Sequence, residues 1–178
     1  DKNGLLYFDT EQGDSHLHEV IDRIDALSGM ALTNDTAVGY VEFFALRELT
    51  HDQRVKFIDW TLQKHYYHVG FGIIDGLKDL MLDINSNPEA TTLSQTIMRW
   101  TSYYEIALHT VLHENKNDPN ARGAIGTEVF NKAETIIQVK RHLRLRYSEV
   151  LPLLCRNKEF QPFAFSIDDA GLPNLNSD

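Results

Sequence analysis

Two short apolar runs that each end in a carboxylate constrain this chain most. Gly4 to Asp9 carries Leu5-Leu6-Tyr7-Phe8 and then turns polar, and Phe71-Gly72-Ile73-Ile74-Asp75 does the same. Runs of this length and apolarity read as buried strands. Between them lie segments of a different period. Asp14 to Leu27 places Leu17, Val20, Ile21, Ile24 and Leu27 on one helical face, with Gly29 as a C-terminal stop. Tyr40 to Ala45 is strand-like again. Thr50-His51-Asp52-Gln53 matches a capping box and opens a helix to about Tyr66, carrying Val55, Ile58, Trp60 and Leu62. Strands alternating with helices predict a mostly parallel sheet covered by helices on both faces, an α/β fold.

The pattern continues with a helix opened at Asn87-Pro88-Glu89 and running to about Tyr104, where cap, proline and first-turn acid coincide. A strand follows at Ile106 to Leu112, then a polar loop from Glu114 to Ala124 and a short helix from about Ile125 to Lys132. Strand signals at Thr135–Val139, Glu149–Cys155 and Pro162–Ile167 lack helices long enough for parallel crossovers. They read as an antiparallel C-terminal extension of a single domain spanning residues 1–178. The polar tail from Asp168 is expected to fray.

Composition narrows the function classes. The 178 residues are 42% hydrophobic and 24% charged, ordinary for a globular chain, and can bury a sizeable core. The single cysteine, Cys155, permits no internal disulfide, which suits a reducing compartment and an expected cytoplasmic location. No apolar stretch approaches the roughly 18 residues of a bilayer span, so no membrane partner is expected. The net charge of −9 excludes a generally basic nucleic-acid binder and confines any such contact to local loops. The chain opens on Asp1 and reaches a strand almost at once, which reads as a chain missing its natural N-terminus.

In open α/β sheets, ligands sit at the carboxyl ends of the strands. Three such ends carry suggestive residues: Asp9-Thr10-Glu11-Gln12, Asp75-Gly76 and His113-Glu114-Asn115. A carboxylate ending a buried strand is well placed to hold a hydrated Mg²⁺, which prefers oxygen ligands and keeps its waters. A carboxylate one strand away can polarise an attacking water. A polar tip on a third strand can sense a terminal phosphate. The plainer reading of each end alone is a polar residue reaching solvent.

Taken in order, these segments resemble the core of RecA-like ATPases. Leu6-Tyr7-Phe8-Asp9-Thr10-Glu11-Gln12 resembles the strand that ends in the catalytic glutamate, and Gly72-Ile73-Ile74-Asp75-Gly76 resembles the Walker B strand. Thr110 to Lys116 followed by Asn120-Ala121-Arg122-Gly123 resembles the fifth core strand and its DNA-facing loop. Cys155-Arg156-Asn157-Lys158 before Phe163-Ala164-Phe165 resembles the hairpin that carries an arginine finger. More narrowly, Ile74 to Ser86 and Ala121 to Glu128 look like the plasmid- and transposon-associated helicase-type ATPases of the RepA and DnaB group. The resemblance implies ATP and Mg²⁺ as cofactors, with Glu11 activating water, Asp75 holding the magnesium shell through water and Gly76 beside it. It implies His113 or Asn115 as the phosphate sensor. Arg156 and Lys158 would act on a neighbouring subunit's nucleotide in a homo-oligomeric, hexameric ring. Loops at Asp83–Pro88 and Asn115–Gly123 would face the pore, with Lys116 and Arg122 on single-stranded DNA.

One part of the pattern is missing. No G-x-x-x-x-G-K-[ST] occurs, and Gly70, Gly72 and Gly76 are not followed by Lys-Ser or Lys-Thr. That loop supplies N–H groups and a lysine to the phosphates and a hydroxyl to magnesium. In RecA-like cores its strand precedes the one that opens this chain and lies centrally, between the fifth and sixth strands, here Ile106–Leu112 and Thr135–Val139. Its absence reads as truncation, and the polypeptide alone is expected to hydrolyse ATP feebly or not at all. The rival function is a regulatory or scaffold relative that keeps the sheet without nucleotide chemistry.

Other clusters have plain readings. Among eight histidines, His16 with His18, His65 with His68, and His109 with His113 are close pairs, but none forms H-E-x-x-H. They read as solvent-facing or hydrogen-bonded histidines, with a structural metal as the alternative. Lys140 to Arg146 reads as a solvated hairpin tip, the alternative being a phosphate-binding or subunit-contacting patch. Trp60 and Trp100 read as core.

Overall fold

A computed structural model describes residues 2–29, 41–115 and 118–176. In chain order the elements are β1 (Gly4–Asp9), α1 (Asp14–Ser28), β2 (Val41–Ala45), α2 (His51–His65), β3 (Val69–Asp75), a 3₁₀ turn (Leu77–Leu80), α3 (Asn87–Tyr103), β4 (Ala107–Val111), β5 (Glu114–Asn115), β6 (Asp118–Ala121), α4 (Gly123–Lys132), β7 (Thr135–His142), β8 (Tyr147–Cys155), β9 (Phe163–Ile167) and β10 (Pro173–Leu175). The fold is α/β. The chain divides into two compact units, Asp1–Val129 and Phe130–Asp178.

The first unit is built on a parallel sheet of order β2-β1-β3-β4. Its register is unbroken at the carboxyl end: Phe8 pairs with Phe44 and Ile74, and Asp9 with Ala45 and Asp75. Leu6, Phe8 and Ile74 are fully buried, against Leu46, Ile58, Leu62, Leu77, Trp100 and Ile125. Burying each such side chain is worth roughly 1.5–3 kcal/mol, which orders the strands and carries their polar ends to one common edge.

Local signals explain most helix ends. The Thr50 hydroxyl accepts from Gln53 N, and Gln53 Oε1 accepts from Thr50 N at 2.9 Å, so the capping box forms as expected. At α3 the cap falls one residue earlier than the sequence suggests, on Ser86, whose hydroxyl accepts from Glu89 N. Gly29 ends α1 in the left-handed region, as expected. The expected apolar face of α1 is only partly covered: Leu17 is buried but Leu27 is 53% exposed.

Three readings need correction. Trp100 is fully buried, but Trp60 is 54% exposed, with the Lys64 ammonium 5.2 Å from its ring centre. It sits on the outward side of α2, beside Ile58, Thr61 and Leu62, which face the core. The polar stretch after β4 is a small antiparallel ribbon of β5 and β6 leading into α4. The C-terminal tail does not fray at its start. The Asp168 carboxylate accepts from Ala170 N and Leu172 N at 2.9 Å and from Asn174 Nδ2 at 2.8 Å. This turns the chain so that β10 pairs antiparallel with β9.

The second unit is an antiparallel sheet of order β10-β9-β8-β7. The hairpin joining β7 and β8 turns at Leu143–Arg146, with Arg146 at φ 55°, and both flanking leucines are exposed. This matches a solvated tip. His142 stacks on Tyr147 at 4.6 Å and closes the base of the turn. Among the described residues no helix is long and apolar enough to cross a membrane.

Candidate functional site at the carboxyl edge

The parallel register places Asp9 and Asp75 side by side at the carboxyl end of the sheet, and the turn after β1 carries Glu11 to the same edge. Asp9 is fully buried. Its Oδ1 accepts from Glu11 N at 2.9 Å and Gln12 N at 2.7 Å, which fixes the turn on which Glu11 stands. Its Oδ2 is buried with no hydrogen-bond partner among the described residues. A buried carboxylate oxygen left unpaired is costly unless a cation or donor meets it.

The Tyr7 hydroxyl donates to Asp75 Oδ2 at 2.9 Å. Burial and the adjacent Asp75 charge push the Tyr7 phenol well above its ordinary range, so it stays protonated and donating. Asp75 is itself raised, by burial first and then by the negative charges of Asp9 and Glu11, against the opposing Tyr7 hydrogen bond. Burial pushes Glu11 the same way, but hydrogen bonds from Lys78 and His113 overcome it and hold its carboxyl below the ordinary range. Lys78 Nζ lies 2.8 Å from Glu11 Oε1, and His113 Nε2 lies 3.3 Å from Glu11 Oε2. The two shifts act oppositely on stability. The Glu11 contribution is present above its unfolded pKa and lost as pH falls through its lower folded value. The Asp75 contribution is present below its unfolded pKa and lost as pH rises through its higher folded value.

Gly76 follows Asp75 at φ 97°, where side chains are strained. A Cβ there would stand 2.2 Å from Thr10 Oγ1 and 2.7 Å from Glu11 Cγ, so only glycine lets the turn close over the site. The Thr10 hydroxyl, with one proton to give, lies 2.9 Å from both Asp75 O and Gly76 O and 3.1 Å from Asp79 Oδ2. Arg54 braces the edge from α2. Its guanidinium donates to Leu46 O, Asp79 O and Arg47 O at 3.0, 2.8 and 2.7 Å.

The structure thus brings Glu11, Asp75, Gly76 and His113 together. Asn115 lies two residues past His113, in β5, with its side chain outside the described part, and Lys116 lies outside the described residues. Arg122 is exposed, and its backbone N–H donates to His113 O at 3.0 Å. Gly123, at φ 79°, packs on Ile84, where a Cβ would come within 2.4 Å of Ile84 Cγ1. Ala124 N donates to Ile84 O at 2.9 Å, so the loops after β3 and β4 are joined. In the second unit, Arg156 is engaged locally: Nε donates to Ala133 O and Nη2 to Asn131 O, both at 2.9 Å, which caps the end of α4. Lys158 is exposed.

Sequence reasoning placed Asp9 at a suggestive strand end but gave it no role, and it missed Tyr7 and Lys78 as site residues. Tyr7 reads as one more apolar strand residue, and Lys78 has no motif around it.

The arrangement offers a patch of crowded carboxylates suited to a hydrated divalent cation, beside an ionised glutamate held by two cationic or polar partners. Mg²⁺ fits these residues: the unpaired Asp9 oxygen and the charge-crowded Asp75 both gain from a nearby dication. No protein-family model matches the sequence, and no curated protein matches it.

Proposed function

We propose that this chain is the part of a RecA-like ATP-hydrolysing motor that follows the phosphate-binding loop, coupling ATP hydrolysis to single-stranded DNA in the intact parent. One observation carries the reading: Glu11, Asp75 and His113, at or just past the ends of the three adjacent strands β1, β3 and β4, meet at the carboxyl edge of a parallel sheet, with Asp9 level with Asp75. Among the described residues β4 is an edge strand of the first unit's sheet, which leaves room beside it for the loop-bearing strand that the resemblance puts there.

In this reading Asp75, with Asp9 beside it, holds the water shell of Mg²⁺, which supplies charge neutralisation for the nucleotide phosphates. Glu11 orients the attacking water. Its low pKa suits that role, because a loose phosphoryl-transfer transition state needs positioning and electrostatics more than a strong base. Lys78 and His113 fix the carboxylate. His113 also ties the site to the loop above it through its backbone bond to Arg122, a direct route from nucleotide state to DNA contact. Arg156 and Lys158 are assigned to the neighbouring subunit's nucleotide in a hexameric ring. For Arg156, that role requires release of the two carbonyls it now caps.

A salt titration of DNA affinity tests the coupling to DNA. In the complete parent protein, Arg122→Ala or Lys116→Ala should weaken single-strand binding about equally across sequences and lower the salt slope by about one unit each. Nucleotide affinity should barely change. An unchanged slope, or a loss of ATP affinity instead, removes these residues from the DNA role.

A further inference from the structure

At the opposite edge of the same sheet stand three side chains that the nucleotide site does not use. Glu42 is the second residue of β2, His65 the last residue of α2, and His68 the residue just before β3. One ligand atom from each lies within 4.8 Å of the others. Glu42 Oε1 is 3.2 Å from His65 Nδ1, and His65 Nδ1 is 3.3 Å from His68 Nε2.

Hydrogen bonding within the cluster accounts for only one of these two contacts. A ring nitrogen offers one in-plane position, occupied by either a proton or a lone pair. His65 Nδ1 has two partners at hydrogen-bond distance competing for that position, so hydrogen bonding within the cluster can serve only one of them and leaves the other to solvent. A tetrahedral zinc ion bound at about 2.0–2.1 Å separates neighbouring ligand atoms by about 3.3–3.4 Å. The separations of 3.2 and 3.3 Å lie close to that edge length, and the third pair lies within 4.8 Å.

The scaffold holds the ligands in place before any ion arrives. His68 N donates to His65 O at 3.2 Å, and His68 O accepts from Gly4 N at 2.8 Å, which pins the turn between α2 and β3 to β1. The His65 side chain is 12% exposed and that of Glu42 33% exposed, while His68 faces solvent. Three protein ligands with one side open leave the fourth position to water. Two imidazoles and one carboxylate are a borderline donor set, which favours zinc over magnesium or calcium.

We propose that Glu42, His65 and His68 bind a zinc ion that clips the end of α2 and the entry to β3 onto β2. It is separate from the Asp75 edge and does not depend on ATP chemistry.

The test is a calorimetric titration of the chelator-stripped protein with zinc chloride, with cobalt(II) as a visible reporter of tetrahedral coordination. The wild-type protein should take up one equivalent and show tetrahedral cobalt bands. At zinc near one hundred times Kd, its Tm should rise by roughly 5–10 °C. His68→Gln changes an exposed side chain and should leave the fold intact, and Glu42→Gln keeps the shape of the glutamate. Each should weaken zinc binding by roughly tenfold or more and abolish the Tm rise. Replacing His16 and His18 together with glutamine should change neither. Failure of the wild-type protein to take up stoichiometric zinc, or the same zinc affinity in both ligand variants, overturns the proposal.

Discussion

On the proposed ATPase reading, replacing Glu11 with glutamine in the complete parent protein should lower ATP turnover by roughly two to three orders of magnitude, the usual worth of a positioned catalytic carboxylate. ATP affinity should stay within about threefold, because a water-orienting group makes its interaction in the transition state rather than with bound nucleotide. The geometry predicts this separation. Glu11 is fixed by the two backbone N–H bonds to Asp9 and held ionised by Lys78 and His113. Glutamine keeps the shape and can still meet Lys78 and His113, but it no longer carries the charge that orients water. If Glu11 served only to pair Lys78, the substitution would cost a fraction of a kcal/mol of stability, as partly exposed ion pairs do, and leave turnover intact. Single-turnover hydrolysis alongside nucleotide binding separates the two outcomes.

The largest expected stability effect lies away from that edge. Trp100 is fully buried in α3, and its indole N–H donates to Asp59 Oδ1 at 2.6 Å. Trp100→Ala should cost about 3–5 kcal/mol, through lost burial and the cavity left behind. That is a large share of the roughly 5–15 kcal/mol by which domains are stable. Arg99 keeps its contact to Asp59 at 3.1 Å, so the carboxylate is not stranded. Trp100→Phe should retain most of the packing and lose the hydrogen bond, for about 1–3 kcal/mol. Denaturant unfolding gives both numbers. A Trp100→Ala protein with an unshifted midpoint would mean that this helix does not pack as described.

Most of the parallel sheet was legible because its signals are local. β1 and β3 declare themselves as apolar runs bounded by glycine and aspartate, and α2 by the Thr50–Gln53 box. The alternation of period implied that Glu11 and Asp75 share an edge, and the register of Asp9 with Asp75 realises it. What escaped the sequence depends on partners distant along the chain. Trp60 and Trp100 have similar apolar neighbours, and only helix packing decides which faces the core. β10 exists because Asp168 folds the tail back on β9, which composition alone does not indicate. Tyr7 and Lys78 become site residues only once β1, β3 and the 3₁₀ turn are assembled. The pairing of His65 with His68 was visible, but Glu42 joins them only because β2 lies beside β1 while the turn before β3 is pinned to β1.

The proposed role of this sheet, the ATPase half of a motor whose phosphate-binding loop lies upstream, is tested most directly by reading the coding sequence ahead of Asp1. The motor requires a strand signal followed by G-x-x-x-x-G-K-[ST], some tens of residues before Asp1, with an apolar strand able to pair with the edge of β4. A complete upstream sequence without that loop contradicts the motor and leaves the non-catalytic scaffold as the function of this fold.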